Sequence, residues 1–292
     1  MSTSAATAEP SAKRPRMDGQ KQRNKGDKRN YYAKSAAPAG GGGRRKAFLE
    51  PGQRGFMITC NMRERDCIRE SYMLLNEYAD ELYGKLEETK PVENQKATED
   101  NTEEDDGEAE DISVLVQKQA ESVRQEKRQF RFESVETGAK NCCFISTILK
   151  DPKELGLHIL RALAEKKELK SRFILRMMPI EVVTRANIKD IQNAAGPLFD
   201  RYFLKEPKTF SIVFNRRFNN AIQRDEVIDA LAKLVSSKNM GNKANLKSPD
   251  LAVIVEIVKG LCLISVVPDY FVLRKFNVVE LCAKKEQTEE TA

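Results

Sequence analysis

An almost unbroken apolar run, LAVIVEIVKGLCLISVV at residues 251–267, is the sequence feature that most restricts the fold. Lys259 and Gly260 interrupt this run, and the pair suits a tight reversal between two strands. A strand that is apolar at nearly every position is typical of the centre of a sheet. The run therefore predicts a central hairpin whose two faces are both covered by other parts of the chain.

A helix start is unusually well marked at DPKE, residues 151–154. Asp151 can cap the helix, Pro152 fits its first position, and Glu154 can complete a capping box. We expect this helix to open a second structural unit. His158, the only histidine, falls on the flank of the helix beside charged residues, which predicts a surface side chain.

Three further segments continue the alternation of helix and strand. They are a strand-like stretch ending in proline at 172–179, a helical pattern at 187–203, and a strand followed by a helix at 209–235. Gly196-Pro197 is expected to kink or split the second of these. Together with the apolar hairpin, the alternation predicts an α/β domain with a mixed sheet over residues 149–268.

The preceding part of the chain predicts a smaller unit at residues 49–148. A turn at Gly138 separates the last two of its segments. The segments are strand-like at 54–61, helical at 64–85 and 112–128, and strand-like again at 129–135 and 141–149. This order of strands and helices favours a ferredoxin-like α/β sandwich.

Charge is distributed very unevenly along the sequence. Residues 1–46 hold 12 Lys and Arg against 3 acids, residues 87–111 hold 12 acids against 2 lysines, and residues 112–282 hold 29 basic against 19 acidic side chains. A folded region with a net charge of +10 suits a polyanion, with nucleic acid favoured over an anionic membrane surface. The acidic stretch at 87–111 predicts a disordered, solvated insertion, or else a mimic that competes with RNA.

The two ends of the chain are expected to lie outside the domains. Residues 1–48 predict a disordered basic tail, and residues 269–292 a C-terminal extension and tail. KRPR at 13–16 is compatible with nuclear import, which would place the protein in the nucleolus or nucleoplasm and also in the cytoplasm, or with a merely solvated tail. The N-terminus lacks a secretory signal, and no apolar run approaches the roughly 18 residues of a membrane span.

The six cysteines are expected to be buried and reduced, although their even number leaves disulfides open. No pair has the short spacing that is typical of a metal site. Cys142 and Cys143 are adjacent in an extended run, so their side chains should point to opposite faces of a sheet, which disfavours joint metal ligation.

The sequence offers little with which to build a catalytic site. A single histidine excludes the usual serine or cysteine constellations, and no phosphate-binding loop motif occurs. Glu256, inside the apolar run, has a structural role or, less favoured, that of a general base. We therefore expect no enzyme activity, no cofactor, no metal and no small-molecule substrate.

The sequence offers more residues for nucleic-acid binding than for catalysis. NRRFNN at 215–220 lies where a strand is followed by a helix. Its arginines can pair with phosphates, its asparagines can bond bases or riboses, and Phe218 can stack; a solvated loop is the alternative. Arg176 interrupts an apolar strand and must pair internally or face an anion. The RNA-binding candidates are Arg176, Arg185, Lys189, Asn215, Arg216, Arg217, Asn219, Lys243, Arg274 and Lys275.

Several stretches resemble a known RNA-binding module. FILRMMPIEVV, TFSIVFNRR and KANLKSPDLAVIVEIVKGLCLISVV resemble the THUMP domain of thiouridine synthases, RNA methylases and pseudouridine synthases. With GFMITCNMRERDCIRESYMLLNEYADELYG near the start, they are similar to the stand-alone THUMP domain-containing proteins. The resemblance covers about residues 49–282 without the acidic insertion.

The resemblance implies a fold and a function. It implies a ferredoxin-like domain beside the THUMP domain, and recognition of tRNA shape including the acceptor end. It further implies a tRNA-binding adaptor that serves a separate RNA cytidine acetyltransferase; the alternatives are an RNA-modifying enzyme in its own right and a general or ribosome-associated RNA-binding protein. That partner would form 4-acetylcytidine in the D-arm of serine and leucine tRNAs, and acetyl-CoA and ATP would belong to it.

Overall fold

The computed structural model describes residues 47–85 and 130–283. The acidic insertion at 87–111, the helical pattern at 112–128 and nearly all of the predicted N-terminal tail lie outside the described residues. The amide of Glu136 donates a hydrogen bond to the carbonyl of Ala47. Phe48 also forms an isolated parallel bridge with Glu136.

The first layer of the fold is a four-stranded antiparallel sheet that carries two helices. Its strands stand in the order β2-β3-β1-β4, the arrangement of a ferredoxin-like βαββαβ unit, which confirms that prediction. The elements are β1 Gly55–Cys60, α1 Glu64–Tyr83, β2 Phe132–Val135, β3 Cys142–Thr147, α2 Pro152–Lys166 and β4 Ile174–Ile180.

The first sheet extends further along the chain than the sequence predicted. We expected a first unit ending at residue 148, with the helix and strand after it in the second unit. Instead β4 pairs with β1, from Gly55 opposite Ile180 to Thr59 opposite Arg176. The change from one sheet to the other therefore falls at Glu181, because the partner of a strand depends on contacts that local periodicity does not reveal.

The second layer is a mixed sheet, as the sequence predicted, and it has five strands. Its order is β5-β9-β8-β6-β7, with β6 parallel to both of its neighbours and β9 antiparallel to both of its own. The elements are β5 Val182–Arg185, α3 Ile188–Phe203, β6 Thr209–Arg217, α4 Arg224–Lys238, β7 Lys243–Ala244, β8 Leu251–Val258 and β9 Leu261–Val267.

The hairpin of β8 and β9 is covered on both faces, as predicted, and every residue of β8 is buried. On one face Val253 and Val255 pack in the core formed with α3 and α4. On the other face Ile254 and Leu263 join the core of the first layer, which includes Met57. The two sheets therefore share a continuous apolar interface.

The start of α2 follows the predicted pattern in part. The Asp151 side chain caps the helix by accepting a hydrogen bond of 3.0 Å from the amide of Lys153. Glu154 does not complete a capping box; its carboxylate instead accepts a bond of 2.9 Å from the Tyr83 hydroxyl. The surface position predicted for His158 is wrong, because this half-buried ring packs edge-on against Tyr78 of α1.

The proline in α3 does not split the helix. The element continues from Ile188 to Phe203 through Gly196 and Pro197. Side chains on both sides of the proline, including Ile191 and Phe199, are buried in the second core. Burial along the whole helix offsets the cost of the interior proline, which is about 3 kcal/mol.

The C-terminal segment packs back onto the first layer. A short 3₁₀ turn at Arg274–Phe276 leads into α5 at Val278–Cys282, and both lie against β4. Phe276 and Leu281 are buried in the first core. The Asn277 side chain caps α5, and its backbone forms an isolated bridge with Arg176.

All six cysteines are buried and unpaired, as predicted. Burial raises the pKa of the Cys60 thiol to about 12, and it also raises the pKa of Cys142. The thiols of Cys60 and Cys142 are therefore protonated at neutral pH and are poor nucleophiles. Within residues 47–85 and 130–283, no helix is both long and apolar enough to cross a membrane.

Candidate nucleic-acid interface

The strand register of the second sheet brings basic residues into a row at one end of the sheet. Arg185 at the end of β5 stands opposite Leu261, which stands opposite Val258, which in turn stands opposite Arg217 at the end of β6. Lys259 lies in the hairpin turn between the two central positions. We call this end of the sheet, with Arg185, Lys189, Arg216, Arg217 and Lys259, the basic edge.

The basic edge presents cations that are free to bind an anion. Arg185, Lys189 and Lys259 are exposed, and among the described residues no carboxylate lies within ion-pair distance of them. Lys189 belongs here because α3 begins at this edge: the amide of Ala186 donates to the carbonyl of Gly260 over 2.9 Å. Three exposed cations without an ion-pair partner at one edge suit the regularly spaced phosphates of a nucleic acid.

The NRRFNN loop is held in place by its own polar groups. Asn219 accepts hydrogen bonds from the amides of Ala221 and Ile222, and its side-chain amide donates to the carbonyl of Lys259 over 2.7 Å. Arg216 donates from Nη1 to the carbonyl of Ile222 over 2.8 Å. Asn219 is thus a structural residue of the loop, whereas the guanidinium of Arg216 retains further donors at the surface.

Phe218 is the exposed apolar group of this loop. Its side chain is 66% exposed, and its backbone has a φ of 54°, in the left-handed region. A bulky residue in this conformation is uncommon and costs free energy. The loop therefore holds an aromatic ring outward beside Arg217, where a base can stack on it.

Asn215 and Arg217 point from β6 toward the first layer and meet Glu256 of β8. The Asn215 amide donates to one oxygen of Glu256 over 2.6 Å, and Nε of Arg217 lies 3.8 Å from the other oxygen. The second distance is an ion-pair contact that is too long for a hydrogen bond. Burial raises the pKa of Glu256, and Asn215, Arg217 and Arg176 oppose that rise.

Arg176 approaches the same group from the first sheet. It is half-buried on β4, and its positive charge opposes the rise that burial causes in the pKa of both Glu256 and Tyr270. Arginines from both layers therefore act electrostatically on one acid. Glu256 thus has a structural role within this group, the favoured one of the two roles that the sequence left open.

Lys259 and Lys140 are basic residues that the sequence analysis missed. Gly138, in the turn before β3, has a φ of 67°, and a Cβ atom added there would lie 2.6 Å from Nζ of Lys259. The Lys259 side chain therefore extends over this turn, which also contains the exposed Lys140. Only the pairing of β8 with β9 and the contact between the layers could have revealed this placement.

The remaining candidates lie elsewhere. Lys243 pairs with Thr209, at the opposite end of the nine-residue strand β6 from Arg217. At about 3.3 Å per residue, that is roughly 26 Å away from the basic edge. Arg274 and Lys275 are exposed on the C-terminal 3₁₀ turn, close to the backbone bridge to Arg176.

A cavity of about 310 Å³ lies on the β7 side of the second sheet. Its lining is mainly apolar and includes Ile212, Ile228, Ala232 and Leu246. Lys243 and Leu246 lie near the start of β6, so this cavity is separate from the row formed by Arg185, Lys259 and Arg217. The basic edge itself is an open surface made of strand ends and turns.

Residues 185–267 match the THUMP domain as a family. The matched segment runs from the last residue of β5 to the end of β9 and contains the basic edge. The chain is thus a THUMP-domain protein.

The whole chain has close relatives among known proteins. It is 43% identical to the THUMP domain-containing protein 1 homolog of Drosophila melanogaster over 293 residues, which cover 94% of this chain and 84% of the relative. It is 39% identical to THUMP domain-containing protein 1 of Homo sapiens, with 89% and 72% of the two chains covered. The chain belongs to the family of THUMP domain-containing protein 1.

A more distant relative carries a functional name. The protein called tRNA acetyltransferase TAN1 of Saccharomyces cerevisiae is 28% identical over 296 residues, which cover 91% of this chain and 98% of that relative.

Proposed function

We propose that this chain is a non-catalytic adaptor that binds tRNA at the basic edge and presents it to a separate RNA cytidine acetyltransferase. The partner forms 4-acetylcytidine in the D-arm of serine and leucine tRNAs, and acetyl-CoA and ATP bind to the partner. The proposal includes action in the nucleus, in the nucleolus or nucleoplasm.

The observation that carries this proposal is the row of Arg185, Lys259 and Arg217 across four neighbouring strand ends. These residues come from β5, the β8–β9 turn and β6, and the fold brings them onto one open surface. Guanidinium and ammonium groups bind phosphates, and Phe218 beside them can stack on an unpaired base. Together they form a surface that binds RNA through its phosphates and an unpaired base.

The family supports tRNA as the RNA and acetylation as the reaction. The yeast relative, named as a tRNA acetyltransferase, aligns over nearly its entire length. The groups at the basic edge bind and orient a ligand without forming a bond to it, and the nearby acid Glu256 is fully buried. We therefore assign substrate binding to this chain and the acetyl transfer to its partner.

The direct test compares 4-acetylcytidine in serine and leucine tRNAs from cells with and without the protein. The proposal predicts its loss when the protein is removed, and its return with the wild-type chain but not with the Arg185→Ala, Lys259→Ala double variant. Unchanged 4-acetylcytidine in the deleted strain would contradict the specific role.

The name of the yeast relative also favours a second candidate, an acetyltransferase activity of this chain itself. The two candidates separate in a reconstituted reaction with purified chain, tRNA, acetyl-CoA and ATP. The adaptor predicts no 4-acetylcytidine until the partner enzyme is added. Product formed by the purified chain alone would establish the enzyme instead.

A further inference from the structure

Three cysteine thiols from separate elements meet in the core of the first layer. Cys60 ends β1, Cys67 lies in the first turn of α1, and Cys143 is on β3. Their sulfur atoms all lie within 4.8 Å of one another, and all three residues are buried. Cys60 and Cys67 are seven residues apart, whereas Cys143 is distant from both in the sequence, and the fold brings the three together.

The sulfur positions are close to those that one metal ion requires. Metal–sulfur bonds in proteins are about 2.3 Å long, so three sulfurs in a plane around one ion lie about 4.0 Å apart. The three sulfurs therefore need to approach one another by less than about 1 Å, and rotation of the side chains can supply this movement.

Among the described residues, no fourth thiol or imidazole joins these three sulfurs. The chain has six cysteines and one histidine, and the other four lie elsewhere. Cys142 is on the opposite face of β3 from Cys143, and Cys262 packs in the second core. Cys282 bonds to a backbone carbonyl, and His158 packs on Tyr78. The carboxylate of Glu64, in the first turn of α1, accepts a hydrogen bond of 2.7 Å from the amide of Asn141.

The number and type of ligands select the ion. Thiolates favour soft ions such as Cu(I) and zinc, and structural zinc almost always takes four protein ligands. A buried site with three sulfurs fits a monovalent soft ion of low coordination number. We propose that Cys60, Cys67 and Cys143 bind one cuprous ion. Thiol protons are released to solvent on binding, and no electron is transferred.

The bound ion would restrict the loop at residues 61–63. It would join the end of β1 and the start of α1 to β3, and these elements enclose the loop 61–63. That loop is already attached to the turn before β3, because the amide of Met62 donates to Oδ1 of Asn141 over 3.0 Å. Lys140 lies in the same turn, so the ion would fix the position of this lysine.

The test is an anaerobic titration of the full chain with Cu(I) in competition with a coloured cuprous chelator. The wild-type chain should take one equivalent from the chelator. Cys60→Ser, Cys67→Ser and Cys143→Ser should each weaken binding by more than about tenfold. Cys142→Ser is the matched control, since this neighbour is equally buried but faces the other way, and it should bind as the wild type does.

Three outcomes would overturn the proposal. They are copper left with the chelator by the wild-type chain, equal losses in the Cys142→Ser and Cys143→Ser variants, and tight binding of Zn²⁺ in place of copper. X-ray absorption of the copper-loaded wild-type chain tests the site without relying on variants that fail to fold. Three sulfur neighbours at about 2.3 Å support the site, and any other set of neighbours contradicts it.

Discussion

The side-chain amide of Asn215 donates a hydrogen bond of 2.6 Å to Glu256. The two residues are direct partners on the neighbouring strands β6 and β8. The carboxyl group of Glu256 is only 1% exposed, and Nε of Arg217 lies 3.8 Å from its second oxygen. Glu256 thus fixes the end of strand β6 on the side that faces the first layer. Arg217 reaches the basic edge from this fixed position.

Removing the carboxyl group should therefore destabilise the second layer. Glu256→Leu leaves the Asn215 amide without its acceptor and removes the ion-pair contact of Arg217, and we expect it to lower the free energy of unfolding by about 3 kcal/mol. Glu256→Gln keeps an acceptor for Asn215 and should cost less than about 1.5 kcal/mol. Urea unfolding measures both, and equal costs would contradict the role of the hydrogen bond.

Glu256 should also make stability depend on pH. Burial raises its pKa in the folded protein above the ordinary value of 4.5, so the folded chain holds this proton more tightly than the unfolded chain. Its contribution is therefore fully present below about pH 4.5 and is lost as the pH rises through the folded pKa. The stability of the wild type relative to Glu256→Gln should fall across that range, whereas a constant difference would contradict the raised pKa.

The turn at Gly138 should control the position of Lys259. Gly138→Ala costs about 1 kcal/mol from its positive φ, and the new Cβ displaces the ammonium group of Lys259. Gly52→Ala is the matched control, because Gly52 also has a positive φ but nothing lies within 4 Å of an added Cβ. Both variants should lose similar stability, and only Gly138→Ala should weaken tRNA binding. Equal affinities would show that Lys259 does not contact RNA.

Phe218 should contribute to RNA binding without contributing to stability. Each base that stacks on an aromatic ring is worth about 1–3 kcal/mol, so Phe218→Ala should weaken tRNA binding about tenfold or more. The salt dependence of binding should stay the same, because no charge is removed. Leu246→Ala removes a comparably exposed apolar side chain, 76% exposed, away from the basic edge and should change neither quantity. Full affinity in Phe218→Ala would exclude stacking.

Local patterns predicted the elements well but not their partners. The apolar hairpin and the turn at Gly138 depend on neighbouring residues, and both form as expected. The boundary at residue 148 was wrong because β4 pairs with β1, a contact between distant segments. His158 was predicted at the surface because the periodicity of α2 does not show that Tyr78, on α1, packs against it.

The candidate site shows the same division. NRRFNN at a strand end is visible in the sequence, and four of its residues have structural partners in the fold. Lys259 was read only as part of a turn, and its position beside Arg217 follows from the register of β6, β8 and β9. Lys243 appeared equivalent to the other lysines until the parallel pairing with Thr209 placed it at the far end of the sheet.

The most direct test of the basic edge is the salt dependence of tRNA binding by three chains. These are the wild type, the Arg185→Ala, Lys259→Ala double variant and Lys243→Ala. If each edge cation contacts a phosphate, the slope of log affinity against log salt should decrease by about two in the double variant, and affinity should fall. Lys243→Ala should match the wild type. A double variant with wild-type affinity and slope would show that tRNA binds elsewhere.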